Sequence, residues 1–305
     1  QIIVCPFAAS LPFPKNLLFP LVKRKDVARW RKDQRHTSWA DVLAPAGAVP
    51  LPVPIEPHHD LAVLQYTGGT TGVSKGAMLT HANLTANALQ CAMWFTGCQP
   101  GRERMLGVIP LFHCFAMTVV MNMSIRLGAE IILLPRFDLD ELMGTMHRLK
   151  PTMFAAVPTI YTAIIHHPQL GRFDLTSIRR CLSGGAPLPV EIKAQFEKLT
   201  GCTLVEGYGL SETSPVASCN PLNGVNKAGS IGLPLPGTRI SIRSLDDATV
   251  EVAQGERGEV CIHGPQVMKG YWKQEEETAK VMLPDGWLRT GDVGIMDKDG
   301  YIAIV

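Results

Sequence analysis

The 305-residue sequence has no C-x-x-C pair. Its eight cysteines (positions 5, 91, 98, 114, 181, 202, 219 and 261) stand singly, so neither a disulfide framework nor a zinc site is suggested. Reduced thiols, and with them a cytoplasmic setting, are the expectation. No apolar run approaches the ~18 to 20 residues of a membrane span, and no signal peptide precedes the first apolar segment. Charge is sparse: 18% of residues are charged, the formal net is +2, and a nucleic-acid partner is not expected. There is no internal repeat and no low-complexity tract. The sequence does not open on Met, and Gln1–Val4 reads as a strand with nothing before it to pair with. Both features suggest a piece of a longer chain.

A 46% hydrophobic share is enough for a large core and more than one domain or subdomain. The stretch around which the chain is organised is Leu64-Gln-Tyr-Thr-Gly-Gly-Thr-Thr-Gly-Val-Ser-Lys-Gly-Ala-Met-Leu-Thr80. An apolar run, Leu61–Tyr66, enters a loop of glycines, hydroxyls and one lysine. Glycine lets backbone N–H groups turn onto an anion, Thr and Ser add rotatable donors, and Lys75 adds a cation, so the loop reads as a phosphate cradle. It is not a P-loop of the G-x-x-x-x-G-K-[ST] type, because Lys75 lies between Ser74 and Gly76. Behind it Gly76–Leu79 reads as a short strand, and Thr80 as the N-cap of a helix from His81 to about Phe95, closed by Gly97.

Between Lys15 and Arg35, eight basic residues face Asp26 and Asp33, a local net of +6 that leaves about −4 for the rest. Interleaved Leu17, Leu18, Phe19, Leu21, Val22, Val27 and Trp30 make this a candidate for contact with anionic lipid; a solvated connector with buried apolar anchors fits equally. Pro12, Pro14 and Pro20 forbid one continuous helix here. From Asp60 to about Thr203, strand and helix patterns alternate, which predicts a mostly parallel sheet covered by helices. The strands are Leu61–Tyr66, Met105–Ile109, Ile131–Leu134, Met153–Val157, Arg180–Ser183 and Cys202–Val205. The helices are Phe115–Leu127, Leu139–Leu149 after a capping Asp138, Pro158–His166 and Pro189–Leu199. After about Asn226, short alternating segments (Arg239–Arg243, Glu259–His263, Val293–Asp297, Tyr301–Val305) predict a smaller β-rich subdomain. The expected division is 1–59, a partial N-terminal segment with the basic connector; 60–227, an α/β subdomain; and 228–305, the β-rich subdomain.

Three further stretches carry chemistry. Leu182-Ser-Gly-Gly-Ala-Pro187 follows a strand and opens a helix, where small residues let a flat ring lie on backbone. Glu206-Gly-Tyr-Gly-Leu-Ser-Glu-Thr213 also follows a strand and supplies an aromatic to stack on a base (Tyr208), a hydroxyl (Ser211) and a carboxylate (Glu212). Gly286-Trp-Leu-Arg-Thr-Gly-Asp-Val293 sets Asp292 in a glycine-bounded turn, where it can accept both hydroxyls of a ribose.

In order and approximate spacing these stretches resemble the adenylate-forming superfamily, specifically the bacterial long-chain fatty acid CoA ligases, over nearly the whole chain from Leu61 onward. The resemblance implies the large N-terminal domain of that fold, truncated at both ends: layered, mostly parallel sheets with covering helices and a smaller β-rich subdomain. It implies that Thr67, Gly68, Gly69, Thr70, Thr71, Gly72, Ser74 and Lys75 wrap the β- and γ-phosphates of ATP. Gly184, Gly185, Ala186, Pro187, Glu206, Gly207 and Tyr208 would hold adenine, Ser211 would face the α-phosphate, and Asp292 would anchor the ribose. Thr70 and Glu212 would be the Mg2+-associated oxygens. Pro110-Leu-Phe-His-Cys-Phe115 resembles the stretch that sets a histidine beside the acid, so His113 joins Thr70 and Glu212 as a catalytic candidate; a structural histidine is the bland alternative. Amino-acid-activating relatives resemble this region with an Asp, and none occurs between Leu106 and Arg136. The acid therefore lacks an α-amine, and the helix Phe115–Leu127 either lines an acyl channel or is core.

The implied activity is ATP-dependent conversion of a fatty acid to an acyl-adenylate and then, with coenzyme A, to acyl-CoA, releasing pyrophosphate and AMP. Loop donors and metal would be aimed at charge developing on the α-phosphorus. Family members continue into a mobile C-terminal lobe that brings a lysine to the α-phosphate, and the sequence stops before it, so binding with little turnover is the expectation. The alternatives are an adenylate-former for a medium-chain or aryl acid, and a nucleotide- or membrane-binding fragment without turnover. A peripheral position at the inner face of the membrane is a further expectation.

Overall fold

The computed structural model describes residues 2–44, 53–67 and 74–305. The chain divides into two compact units, Gln1–Ile55 and Glu56–Val305. In the first, β1 (Ile2–Val4) pairs in parallel with β2 (His36–Ser38), so the strand with nothing before it to pair with takes a partner from later in the chain. Three polar residues in a row carry no alternation, which is why β2 is silent in the sequence. Helix α1 (Lys15–Val22) contains Pro20 and stops at Lys23, and a 3-10 turn, Arg24–Asp26, follows. No continuous helix crosses the basic stretch, although a proline near the end of a short helix is tolerated within it. A second short helix, α2 (Trp39–Leu43), starts on Ser38, whose hydroxyl accepts the Asp41 N–H at 3.0 Å. None of this unit's described residues is buried.

The second unit opens with an antiparallel hairpin, β3 (Leu61–Thr67) and β4 (Lys75–Thr80). This corrects the placement of Leu61–Tyr66 in the parallel sheet: the strand pairs with β4 alone. Thr80 then caps α3 (His81–Trp94) in a capping box with Asn83.

The parallel sheet is built from β5 (Arg104–Gly107), β6 (Glu130–Leu133), β7 (Met153–Ala156), β8 (Arg180–Ser183) and β9 (Thr203–Gly209). Two antiparallel strands, β10 (Val216–Cys219) and β11 (Leu233–Pro234), extend it past β9, giving the order β11-β10-β9-β8-β7-β5-β6. Successive strand residues point to opposite faces. Met105, Met153, Ala155, Leu182 and Val205 enter one core, and Leu106, Phe154, Ala156, Cys181 and Leu204 the other. Both faces are therefore covered, as parallel sheets require. The first core is closed by α3, by a π-helical stretch at Ala116–Asn122 and by α4 (Met123–Leu127), ending on Gly128 at φ 62°. The second is closed by α5 (Leu139–Leu149), α6 (Pro158–Ile165) and α7 (Val190–Thr200). The expected helix Phe115–Leu127 is thus two segments; its first part is buried all round and widened to the rarer i→i+5 pattern.

The β-rich part is a four-stranded antiparallel sheet of β12 (Arg239–Arg243), β13 (Arg257–His263), β14 (Leu288–Met296) and β15 (Ile302–Ile304). Its core gathers Ile240, Ile242, Val260, Ile262 and Ile302. Between β13 and β14 the chain returns along β4: Met78 N–H donates to Gly270 C=O and Trp272 N–H to Gly76 C=O, both at 2.8 Å. It then forms α8 (Glu275–Val281), which the sequence patterns did not reveal.

Candidate nucleotide and acid site

The turn expected at Asp292 is strand, and the string expected to follow a strand at Glu206 begins inside one. Glu206, Gly207 and Tyr208 lie within β9, which runs on to Gly209, and Asp292 lies within β14. The glycine that ends β9 serves close packing. A side chain on Gly209 would bring its Cβ within 1.9 Å of the Pro215 carbonyl oxygen, where β10 runs alongside. Beside Asp292, Gly291 at φ 78° marks an irregularity in the β13–β14 register and donates its N–H to Glu259 at 3.0 Å.

These segments converge on the ends of β8 and β9. Gly184, Gly185, Ala186 and Pro187 follow β8; Gly185 takes φ 81°, and a Cβ on Gly184 would touch the Phe115 ring at 3.3 Å. A cavity of about 410 Å³ is lined by Gly185, Ala186, Pro187, Glu206, Tyr208 and Asp292 among others. Its walls are backbone and small residues on one side and the Tyr208 ring on another, which suits a flat heterocycle. The Tyr208 hydroxyl donates to Asp292 Oδ2 at 2.5 Å, fixing ring and carboxylate together. Burial, and then the Asp292 carboxylate, push the Tyr208 phenol well above its usual range, so it stays a donor. Glu206 accepts the Leu188 N–H at 3.2 Å; burial raises its carboxyl pKa, partly opposed by that bond.

An adjoining cavity of about 240 Å³ is lined by His113, Cys114, Phe115, Gly184, Tyr208 and Ser211, among others. His113 is exposed, and its Nδ1 accepts the Phe115 N–H at 3.2 Å. That bond fixes the tautomer, leaving the proton on Nε2 when the ring is neutral. Ser211 Oγ lies 3.6 Å from Cys114 Sγ. Glu212 follows on a 3-10 turn and borders a third cavity, of about 250 Å³, with Tyr271, Lys280 and Arg289. Its Oε1 accepts the Tyr271 hydroxyl at 2.7 Å, and its backbone carbonyl accepts Met268 N–H at 2.8 Å.

Of the phosphate cradle, Thr67, Ser74 and Lys75 are described, while Gly68, Gly69, Thr70, Thr71 and Gly72 lie outside the described residues. Thr67 and Lys75 pair across the hairpin mouth, where the Thr67 hydroxyl donates to the Lys75 carbonyl at 3.4 Å. The Lys75 ammonium forms an ion pair with Glu277 and lies 5.2 Å from the Tyr271 ring centroid. Tyr271 and Glu277 were missed by sequence reasoning. The only local signals were an aromatic after Gly270 and an acidic run at Glu275–Glu277, both common on surfaces.

Small residues, an aromatic ring and a carboxylate around one cavity at the ends of β8 and β9 are what a nucleotide-binding class of site needs. Residues 15–272 match the family model described as AMP-binding enzyme, and the chain belongs to that family. The long-chain-fatty-acid–CoA ligase of Bacillus subtilis is 50% identical over 306 residues, covering 100% of this chain and 54% of the relative. The crystal structure of a long-chain-fatty-acid–CoA ligase from Archaeoglobus fulgidus matches with a TM-score of 0.75 at 31% identity, covering 83% of this chain and 52% of that one. ATP-bound MatB from Rhodopseudomonas palustris matches with a TM-score of 0.73 at 34% identity, over 80% of this chain and 48% of that one. The chain spans about half the length of the curated relatives it matches.

Proposed function

We propose that this chain binds ATP and a fatty acid, long-chain by preference, and joins them as an acyl-adenylate, the whole protein then passing the acyl group to coenzyme A. The observation that carries the reading is the adjacency of two cavities, one walled by Gly185–Pro187, Glu206 and the Tyr208–Asp292 pair, the other by His113 and Ser211. The first suits adenosine; the second suits the junction of α-phosphate and carboxylate. The names of the Bacillus and Archaeoglobus relatives support the substrate.

A carboxylate resists thiol attack because its carbon is electron-rich and its leaving group would be oxide. Joining it to AMP supplies a good leaving group. In this chain the work divides as follows. Asp292 and Tyr208 hold the nucleoside, His113 Nε2–H donates toward the acid oxygens, Ser211 faces the α-phosphate, and Lys75 reaches the phosphate tail. Donors aimed where charge develops act mainly on the transition state. Glu212, and Thr70 from the loop, would hold magnesium, which when bound offsets the charge of the polyphosphate. Glu212 fits that ion: it is a carboxylate bordering a cavity of about 250 Å³, and Mg2+ is usually held by one or two carboxylates plus substrate phosphates.

The test is pyrophosphate release across a panel of acids. Long-chain fatty acids should exceed medium-chain, aryl and amino acids, and an aryl or amino acid outpacing them would overturn the substrate. Binding of a non-hydrolysable acyl-adenylate analogue without any turnover would favour a binding module instead. We also propose that Lys23, Arg24, Lys25, Arg29, Arg31 and Lys32, beside the exposed Leu17, Leu18, Leu21 and Val22, lie against anionic lipid at the cytoplasmic face of the membrane. Each cation is worth roughly 1 kcal/mol there, screened by salt. Equal sedimentation of a sextuple Gln variant with anionic vesicles at low salt would end that idea.

A further inference from the structure

Lys75 stands at the hairpin mouth with its position set by residues far away in sequence. Its ammonium pairs with Glu277 Oε2, Glu277 Oε1 accepts Lys280, and the Tyr271 ring lies beneath Lys75 at 5.2 Å. The ion pair is only one of several links. Thr278, next to Glu277, accepts the Tyr271 N–H on its hydroxyl at 2.8 Å, and its methyl occupies the space a side chain on Gly270 would need. Residues 270–272 are in turn bonded to β4, the strand that begins with Lys75. Helix α8 is therefore held at a fixed distance from the strand it serves.

We propose that Glu277 is a positioning residue for the phosphate tail of the nucleotide, acting through Lys75; this rests on the proposed function, in which Lys75 reaches that tail. Two effects of the carboxylate oppose each other. As an anion it repels phosphate; as an anchor it removes in advance the rotamer entropy that Lys75 would otherwise lose on binding, which is among the largest of any side chain. The surroundings decide between them. Glu277 lies between two ammonium groups, Lys75 and Lys280, so its own charge is offset from both sides; Glu275 and Glu276 open the same helix, and the pairing with Lys75 rather than a net positive field carries the effect. An ammonium has three N–H donors and Glu277 takes one, so Lys75 can meet a phosphate without leaving its anchor. Tyr271 adds a further consequence. The ring that carries Lys75 also donates its hydroxyl to Glu212, so the cation for the tail and the carboxylate for the metal are referenced to one rigid, buried side chain.

The experiment is calorimetric titration of ATP and, separately, AMP into the full chain as wild type, Glu277→Gln and Glu277→Asp. Glu277→Gln should weaken ATP roughly three- to tenfold, a part of what the full rotamer entropy of one long side chain would give, and leave AMP unchanged because AMP has no tail for Lys75 to reach. Glu277→Asp, which keeps the charge, should recover most of the loss. Tighter ATP binding by Glu277→Gln would make the carboxylate a competitor that nucleotide displaces, and would overturn the proposal. So would unchanged ATP affinity, or ATP and AMP weakening together, the mark of a purely structural role. A wild type that binds neither nucleotide would instead overturn the proposed function, and the role of Glu277 with it.

Discussion

The two compact units put the same apolar residue types to different use. In the first, Leu17, Leu18, Leu21 and Val22 on α1 are 62, 51, 75 and 74% exposed; in the second, Leu79, Leu106, Leu142 and Leu204 are wholly buried. Composition does not separate them. What does is the supply of opposing layers: the second unit sandwiches a seven-stranded sheet between helices, whereas the described residues of the first form one two-stranded pair, two short α-helices and two 3-10 turns. The proposed site sits wholly in the second unit. Changes there should therefore cost folding or chemistry, and changes in the first should cost neither.

The largest effect is expected at Gly209. An alanine Cβ would sit 1.9 Å from a backbone oxygen, which no rotamer change relieves, so β9 and β10 would have to part. Gly209→Ala should cost at least ~3 kcal/mol, the size reserved for backbone strain and overpacking in cores. Chemical denaturation measures it, and a loss below ~1 kcal/mol would show that the strand pair yields easily.

Glu212 comes next, and here chemistry and folding need separating. Its removal would leave the buried Tyr271 hydroxyl without an acceptor, a penalty of about 1–3 kcal/mol, so Glu212→Ala should lower the melting temperature as well as activity. Glu212→Gln keeps an acceptor oxygen and loses the charge. It should melt close to wild type while acyl-adenylate formation falls by ~10²–10³, judged by the loss of single charge-stabilising groups elsewhere. Near-normal rates at saturating magnesium would remove Glu212 from the site.

A smaller effect, of opposite sign on stability, is expected at Glu206. Burial raises its carboxyl pKa above the ordinary 4.5, so the folded protein holds that proton more tightly than the unfolded chain. The resulting destabilisation is absent below the ordinary value, grows as pH rises through the folded one, and is constant above it. Glu206→Gln should therefore melt higher than wild type at pH 7 and at the same temperature near pH 4. A neutral-pH melting temperature below wild type would show that the carboxylate is stabilised in place.

Much of the second unit was legible because its signals are local. Leu139–Leu149 has Asp138 at its N-cap, Pro151 beyond its end, and Leu142, Met143 and Met146 on one buried side, and it folds as read. Arg180–Ser183 and Arg239–Arg243 match to the residue for the same reason. The stretch Ala116–Asn122 is buried over Ala116–Val120 and carries only Thr118 and Asn122 as polar residues, so no period distinguishes its wide helical turn. Strand β10 is entered through Ser214 at φ 69°, and its serine-containing sequence gave no alternation to detect. The site follows the same rule. Gly184–Pro187, Glu206–Tyr208 and Asp292 could be read as dense strings, whereas the link of Lys75 to Glu277 exists only after the chain has returned along β4.

The smallest effect closes the comparison. Leu21→Ser removes an apolar side chain of the kind whose loss from a core costs about 2–5 kcal/mol. At 75% exposure Leu21 makes little of that contact, and a surface substitution of this sort should move stability by no more than about 0.5 kcal/mol. Serine also shortens the apolar face of α1, so sedimentation with anionic vesicles should fall while the melting temperature stays put. The two readouts separate the possibilities for this helix. A drop in melting temperature with vesicle binding intact would mean that Leu21 is covered in the folded protein. The first unit would then resemble the second in using its leucines as core, and the basic stretch would be a connector rather than a surface.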